Sequence, residues 1–388
     1  VSAKNLLSPC PPSLVQALHP SNPDRHIWLD SYNEEKGGLM ELNVFERINK
    51  KQYLALRRKG VIPKALPSMC VLVIKQDKDG KPHRAKSRIV VLGNFEDRIY
   101  EKSKRYAPVL KYSSLRLLVS KAIAARRVLT QGDCKNAFCN ADLRDDERMA
   151  IRPPVGDPAF ANKDEYWLLR KTLYGLRMSP RHWYNMITDI LKKMGLTPSV
   201  HDPCLFSGVV GSGSTSPPPA IPPRPSSPVS VLDGPDASAA PSTPSGPAEI
   251  HVGIYVDDFV FFSTDPAQEE KFRTELAKHV KVDFMGDVDY FLGTAFTWRR
   301  HDDGNLSVHM TQSAFVEYAA HRFGVDLMKR VPNMTPYRSG LPVDAIPAAD
   351  ASDPDLKRRT KVYQGIVGCI NWLATCTRPD ASPVLTFL

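Results

Sequence analysis

The sequence predicts an α+β fold in which several helices pack against a mostly antiparallel sheet. Two apolar, β-branched stretches, 69–92 and 250–262, each read as strand, turn, strand. Two others, 114–127 and 179–194, repeat apolar residues at helical spacing. Strand-like and helix-like segments alternate along the 388 residues, and 42 % apolar with 24 % charged content is enough to build a core.

In chain order, strands 69–75 and 87–92 flank the turn signal Asp77, Lys78, Asp79, Gly80, with Arg84, Lys86 and Arg88 on the second arm. Helix 114–127 has Leu115, Leu118, Val119 and Ile123 on one face. Short strands follow at 128–133 and 166–170. Ser179 is the N-cap of a helix that Pro180 opens, and Trp183, Ile187, Ile190, Leu191 and Met194 form its apolar stripe. Residues 202–206 are strand-like, 250–262 is a hairpin, and 267–280 is an amphipathic helix. Strands at 290–298 and 306–310 and helices at 313–323 and 362–374 complete the pattern.

At ~150 residues per domain the length allows two or three domains. The net charge of +10 is unevenly spread. Residues 1–120 carry 22 basic and 11 acidic side chains, 121–206 carry 14 and 10, and 207–388 carry 16 and 21. A basic surplus confined to the first half points to a polyanion-binding surface there. Eleven of the 34 prolines fall in 207–248 among Ser, Gly and Ala, so 211–248 reads as a disordered insert. Both its flanks are strand-like, which places it inside one domain, because a loop between strands lengthens at small entropic cost. The seven cysteines form no Cys-x-x-Cys pair and no zinc spacing, which suits a reducing compartment. No Walker loop, no Gly-x-Gly-x-x-Gly, no secretory pattern at the start and no 18-residue apolar run occur, so an intracellular, cytoplasmic place and no membrane partner are expected.

The chemistry concentrates in carboxylates. In 250–262, Ile250, Val252, Ile254 and Val256 alternate with polar positions, and Asp257 and Asp258 sit at the turn. Adjacent like charges repel, and a cation between them relieves the repulsion; Asp pairs are also common turn formers. Asp133 ends another strand, where it is equally a cap. One acid ending a strand and two at a hairpin tip is the donor set that two-metal phosphoryl transfer requires, with hard oxygen ligands that suit Mg²⁺. Spacing alone leaves open whether Asp133 and Asp257 meet.

These residues resemble the reverse transcriptase of copia-type LTR retrotransposons, in order over nearly the whole chain apart from the insert. Lys75 to Gly93, with Arg84, Lys86 and Arg88, is similar to the family's fingers hairpin. Tyr106 to Val109 and Ser114 to Leu118 follow, then Gln131 to Leu143, which makes Asp133 the first catalytic aspartate. Leu173 to Trp183 resembles "LYGLKQSPRxW", Asp202 to Cys204 "DPC", Tyr255 to Asp258 the catalytic tetrad, Tyr290 to Gly293 "YFLG", and Thr377 to Asp380 "TRPD". The resemblance implies a right-hand polymerase fold: an extension over 1–60, fingers and palm over 61–298 interrupted by 211–248, and a partial thumb and connection over 299–388. It implies a nucleotidyltransferase that adds deoxynucleotides to a primer 3′ end. Asp133, Asp257 and Asp258 are then catalytic and metal-holding, with two Mg²⁺ (or Mn²⁺). Lys86, Arg88, Phe138, Tyr174, Gly175 and Tyr255 are substrate-binding, with Phe138 crowding the sugar 2′ carbon. Phe291, Leu292 and Gly293 grip the primer. The partners implied are an RNA or DNA template with its primer and deoxynucleoside triphosphates, inside a virus-like particle. Met178 replaces the family's usual Gln, and the Asp-Pro-Cys segment has no evident physical role. The insert is the largest departure. The chain stops before an RNase H domain, so it reads as a fragment or a truncated copy. An alternative is a catalytically silent nucleic-acid-binding relic; a third is an unrelated α+β enzyme in which Asp133 lies far from Asp257.

Overall fold

The computed structural model describes residues 2, 9–76, 82–98, 100–101, 105–211, 248–327 and 353–385. The expected turn at 77–80, nearly all of the insert and the segment 328–352 lie outside the described residues.

After a single helical turn at Leu14–Ala17 comes α1 (Arg25–Glu41), which buries Ile27, Trp28, Tyr32 and Leu39. Strand β1 (Phe45–Asn49) leads into α2 (Lys50–Arg58), whose start is fixed by a capping box between Asn49 and Gln52. Strands β2 (Ser68–Gln76) and β3 (Pro82–Val91) pair antiparallel as a two-stranded sheet, and β3 begins five residues earlier than its apolar run suggests. Helix α3 (Tyr112–Ala124) precedes β4 (Thr130–Cys134), and β5 (Met149–Ile151) and β6 (Glu165–Leu169) join β1 in the order β1-β6-β5. Helix α4 (Ser179–Lys193), β7 (Leu196–Pro198), β8 (Leu205–Gly208), β9 (Ile250–Tyr255), β10 (Asp258–Ser263), α5 (Pro266–His279) and β11 (Val282–Asp287) follow. Together with β4, these strands form a six-stranded sheet, β11-β4-β10-β9-β8-β7, antiparallel at every pairing. Strands β12 (Tyr290–Phe291), β13 (Thr294–Arg300) and β14 (Leu306–Thr311) make a third sheet, and α6 (Ser313–Phe323), α7 (Leu356–Cys376) and a short helix at Ser382–Leu385 follow. The result is α+β, with antiparallel sheets and helices.

The centre of the large sheet is β10, buried on both faces. Phe259 and Phe261 point to one side, into a cluster with Trp183, Ile187 and Phe272 of α4 and α5. Val260 and Phe262 point to the other, against Leu115 and Leu118 of α3. That two-sided burial is why Phe259 to Phe262 is continuously apolar rather than alternating. Strands β8 and β9 are hydrogen-bonded neighbours, with Gly208 opposite Ile250, so the chain leaves and returns at adjacent points across the insert.

Two expectations are corrected. The stretch 290–298 is a hairpin: Leu292 (φ 48°) and Gly293 (φ 75°) take left-handed backbone and fold β12 onto β13. Ser179 is inside α4; Met178 occupies the cap position, and the Ser179 hydroxyl donates to the Leu173 carbonyl at 2.7 Å. The first 60 residues hold α1, β1 and α2, built into the same cores as the rest. Among the described residues no helix is long and apolar enough to cross a membrane.

Candidate active site

Strand register answers the question that spacing leaves open. Asp133, near the end of β4, sits directly opposite Asp258, the first residue of β10. Cys134 N–H donates to the Asp257 carbonyl at 2.8 Å, which ties the hairpin tip to β4. Paired residues share a sheet face, so Asp133 and Asp258 lie on the side of Val260 and Phe262, with Asp257 at the adjoining turn.

The turn itself is strained. Tyr255 and Asp258 pair across it, leaving Val256 and Asp257 as a two-residue loop. Val256 has φ 59° and Asp257 does not share that region. Positive φ at the first central position alone is the pattern of a type II′ turn, which ordinarily takes Gly there. A β-branched residue in that region costs about 1–3 kcal/mol and persists only where its surroundings over-determine it. Here the indole N–H of Trp183 donates to the Val256 carbonyl at 2.6 Å.

The carboxylates perturb one another. Burial pushes Asp258 up to about 6, with Asp257 and Asp133 adding to the shift and Lys75 opposing it. Burial also raises Asp133, followed by Asp257, while Lys86 opposes. Asp283 contributes to the same rise: it lies on β11 directly opposite Asp133 and pairs with Lys135 at 2.6 Å. Sequence reasoning missed β11 and with it Asp283; the available signal was the alternation of Val282 and Phe284.

A cavity of about 690 Å³ opens beside these acids. Asp133 and Asp257 line one part of it, Lys75, Lys86 and Arg88 of the β2–β3 hairpin another, and Tyr174 is also in the wall. The Arg88 guanidinium stacks over the Tyr174 ring at 5.7 Å, and Phe138 meets that ring edge-on at 5.4 Å. Lys86 is held below its ordinary value by burial and then by Arg88 and Lys75. Cations crowded on one wall and carboxylates on another suit a ligand that brings both an anion and a metal.

The other expected residues are placed differently. Gly175 (φ 91°) does make a close backbone approach, but to β3: a Cβ there would lie 2.0 Å from the Val91 carbonyl oxygen. Tyr174 C=O accepts from Val91 N–H at 2.8 Å across the same seam. Tyr255 packs against the cluster around Leu115 and Val260 rather than lining the cavity. Phe291 is a core side chain of that cluster, 1 % exposed, and only Leu292 and Gly293 form the turn. The Asp-Pro-Cys segment gains a role: buried Asp202 accepts the N–H groups of Lys111 at 2.9 Å and Cys204 at 3.0 Å, joining the start of α3 to β8.

Among the described residues no three His, Cys, Asp or Glu side chains converge as a preformed metal cage. The donor set still fits Mg²⁺, which binds through one or two carboxylates plus waters and substrate phosphates rather than through an all-protein shell. Three mutually repelling carboxylates at one sheet end are such a set.

Residues 58–215 match the family of reverse transcriptase (RNA-dependent DNA polymerase). Over that segment the chain is similar to reverse transcriptases. It is 23 % identical over 373 residues to the retrovirus-related Pol polyprotein from transposon TNT 1-94 of Nicotiana tabacum, covering 95 % of this chain and 24 % of that protein. It is 28 % identical over 316 residues to the Pol polyprotein from transposon RE1 of Arabidopsis thaliana, covering 79 % and 18 %. It is 26 % identical over 256 residues to a putative transposon Ty5-1 protein of Saccharomyces cerevisiae, covering 66 % and 67 %. The chain thus spans under a quarter of the two plant polyproteins. The domain match holds Lys86, Arg88, Asp133, Phe138, Tyr174 and Gly175, and the tobacco alignment extends past the Asp257 hairpin.

Proposed function

We propose that this chain is a reverse transcriptase, the polymerase part of a copia-type element, extending a primer 3′ end with deoxynucleotides on an RNA or DNA template. The observation that carries the reading is the cross-strand meeting of Asp133 and Asp258, with Asp257 tethered beside them, at a cavity whose other wall holds Lys86 and Arg88. In a right-hand arrangement the β2–β3 hairpin serves as fingers and the six-stranded sheet as palm over 61–298, and residues 299–388 belong to thumb and connection.

Asp133 and Asp257 would hold the divalent ions, Mg²⁺ or Mn²⁺, with Asp258 assisting. Bound there, the ions would make the primer 3′ hydroxyl a better nucleophile and neutralise charge on the departing pyrophosphate. Lys86 and Arg88 bind the triphosphate through charge-assisted hydrogen bonds. Tyr174 holds Arg88 in place by stacking, and Phe138 braces Tyr174, so the pair bounds the space beside the sugar 2′ carbon. Leu292 and Gly293 offer a backbone turn to the primer end. No side-chain nucleophile is required, because positioning and charge neutralisation carry phosphoryl transfer.

The test is extension of oligo(dT) on poly(rA) with Mg²⁺. Incorporation that disappears in Asp257→Asn supports the reading. Primer–template binding with no incorporation overturns it in favour of a silent binding relic.

A further inference from the structure

We propose that Trp183 is a positioning residue for the polymerase reaction: its indole N–H fixes the strained turn that presents Asp257. The proposal rests on the reading of the 255–258 hairpin as catalytic.

Trp183 lies on the buried face of α4 and is 2 % exposed, packed with Ile187, Phe206 and Phe259. An indole has one polar atom, a donor, and a buried one needs an acceptor. Many carbonyls could serve. The one taken, at 2.6 Å, belongs to Val256, the hairpin residue at φ 59°. That oxygen belongs to the peptide linking Val256 to Asp257, so holding it fixes the plane from which Asp257 departs. The next carbonyl, that of Asp257, is held by the Cys134 N–H. Both turn carbonyls are therefore anchored, one by backbone and one by a side chain, and only the side-chain anchor can be removed by substitution. Without it the plane can rotate as Val256 relaxes away from positive φ, and Asp257 moves with it. The packing role of Trp183 needs only the ring; the positioning role needs the N–H.

Trp183→Phe separates the two, since it keeps a buried ring and deletes the donor. In the full chain the proposal expects kcat for oligo(dT) extension to fall by about tenfold or more, as a displaced catalytic group does. KM for the triphosphate should change little. Half-saturating Mg²⁺ should rise, and so should the Mn²⁺ dissociation constant read by electron paramagnetic resonance, in protein that melts several degrees lower, for the smaller ring and the unpaired carbonyl, but is folded at the assay temperature. Val256→Gly supplies a residue at home at φ 59°, so on that background adding Trp183→Phe should cost no more than about twofold, the coupling expected of two residues acting through one turn. This second pair also serves if the single variant is too unstable to assay. Equal kcat and equal metal affinity in Trp183→Phe and parent would overturn the proposal and leave the function standing. So would a full tenfold loss on the Val256→Gly background. A parent chain with no incorporation overturns the functional reading and this proposal with it.

Discussion

Gly175→Ala tests the seam between the β2–β3 hairpin and the segment that carries Tyr174. Three costs add. Gly175 sits at φ 91°, a region that penalises an L side chain by about 1–2 kcal/mol. The new Cβ would lie 2.0 Å from the Val91 carbonyl oxygen and 2.7 Å from Val90 Cγ1, so the backbone must separate, at about 1–3 kcal/mol for overpacking. Separation stretches the 2.8 Å bond from Val91 N–H to Tyr174 C=O, worth about 1–3 kcal/mol if a buried partner is left unmade. The sum is about 3–8 kcal/mol, a large part of a typical domain's 5–15. Gly324→Ala is the control. Gly324 has φ 68° and nothing within 4 Å of the point a Cβ would occupy, so only the conformational cost of about 1–2 kcal/mol applies. Urea denaturation followed by tryptophan fluorescence gives both values. A Gly175→Ala loss within about 1 kcal/mol of the Gly324→Ala loss would show that the seam contributes nothing beyond backbone strain, and the reasoning would fail.

Three further outcomes are expected. Burial, with Lys121 adding, holds His251 down at about 4, below the ~6.5 of an unfolded chain, so the unfolded state binds more protons and stability falls as pH drops from 6.5 to 4, by about 1–2 kcal/mol with solvent screening of the half-buried ring. His251→Phe should flatten that dependence in melting curves at pH 7 and pH 5; an unchanged slope refutes it. Asp202→Ala strands two backbone donors and should cost about 2–4 kcal/mol in chemical denaturation, with Asp202→Asn intermediate, whereas a loss under about 1 kcal/mol would mean water replaces the carboxylate. Phe138→Ala removes the brace behind Tyr174 and should raise ribonucleotide incorporation relative to deoxynucleotide by about tenfold or more, read from paired kcat/KM values, with unchanged discrimination counting against the assignment.

The parts of the fold legible in the sequence are those whose burial imposes a period. The Trp183, Ile187, Leu191 stripe and the Ile250, Val252, Ile254 alternation each face the core and are the α4 and β9 surfaces observed. What stayed hidden had weak or non-local causes. Strand β11 is exposed along most of its length, so Val282 and Phe284 alone carry its pattern. The break in 290–298 depends on a left-handed Leu292, a residue type that does not announce a turn. Helix α1 carries Gly37 and Gly38 and buries Ser31 among its apolar residues, which blurs its face. At the site, residue types and order named Asp133, Asp257 and Asp258, but their meeting is a register between strands over a hundred residues apart, which no local pattern encodes. The strain at Val256 and its tie to Trp183 are invisible for the same reason.

The way α1 meets β3 bears on where this domain can be said to start. The Ser31 hydroxyl donates to the Ala85 carbonyl, and Glu35 accepts the Ile89 N–H, so the helix satisfies backbone groups along β3 that β2 does not. A protein cut at residue 58, where the family match begins, would retain every acid of the site and lose that cover. It would also lose Trp28, Tyr32 and Leu39 from the core, leaving an apolar scar beside an unprotected strand edge. Such an edge recruits strands from other molecules. A boundary drawn by sequence similarity would thus yield a chain prone to self-association, and a silent assay on it would report aggregation rather than chemistry.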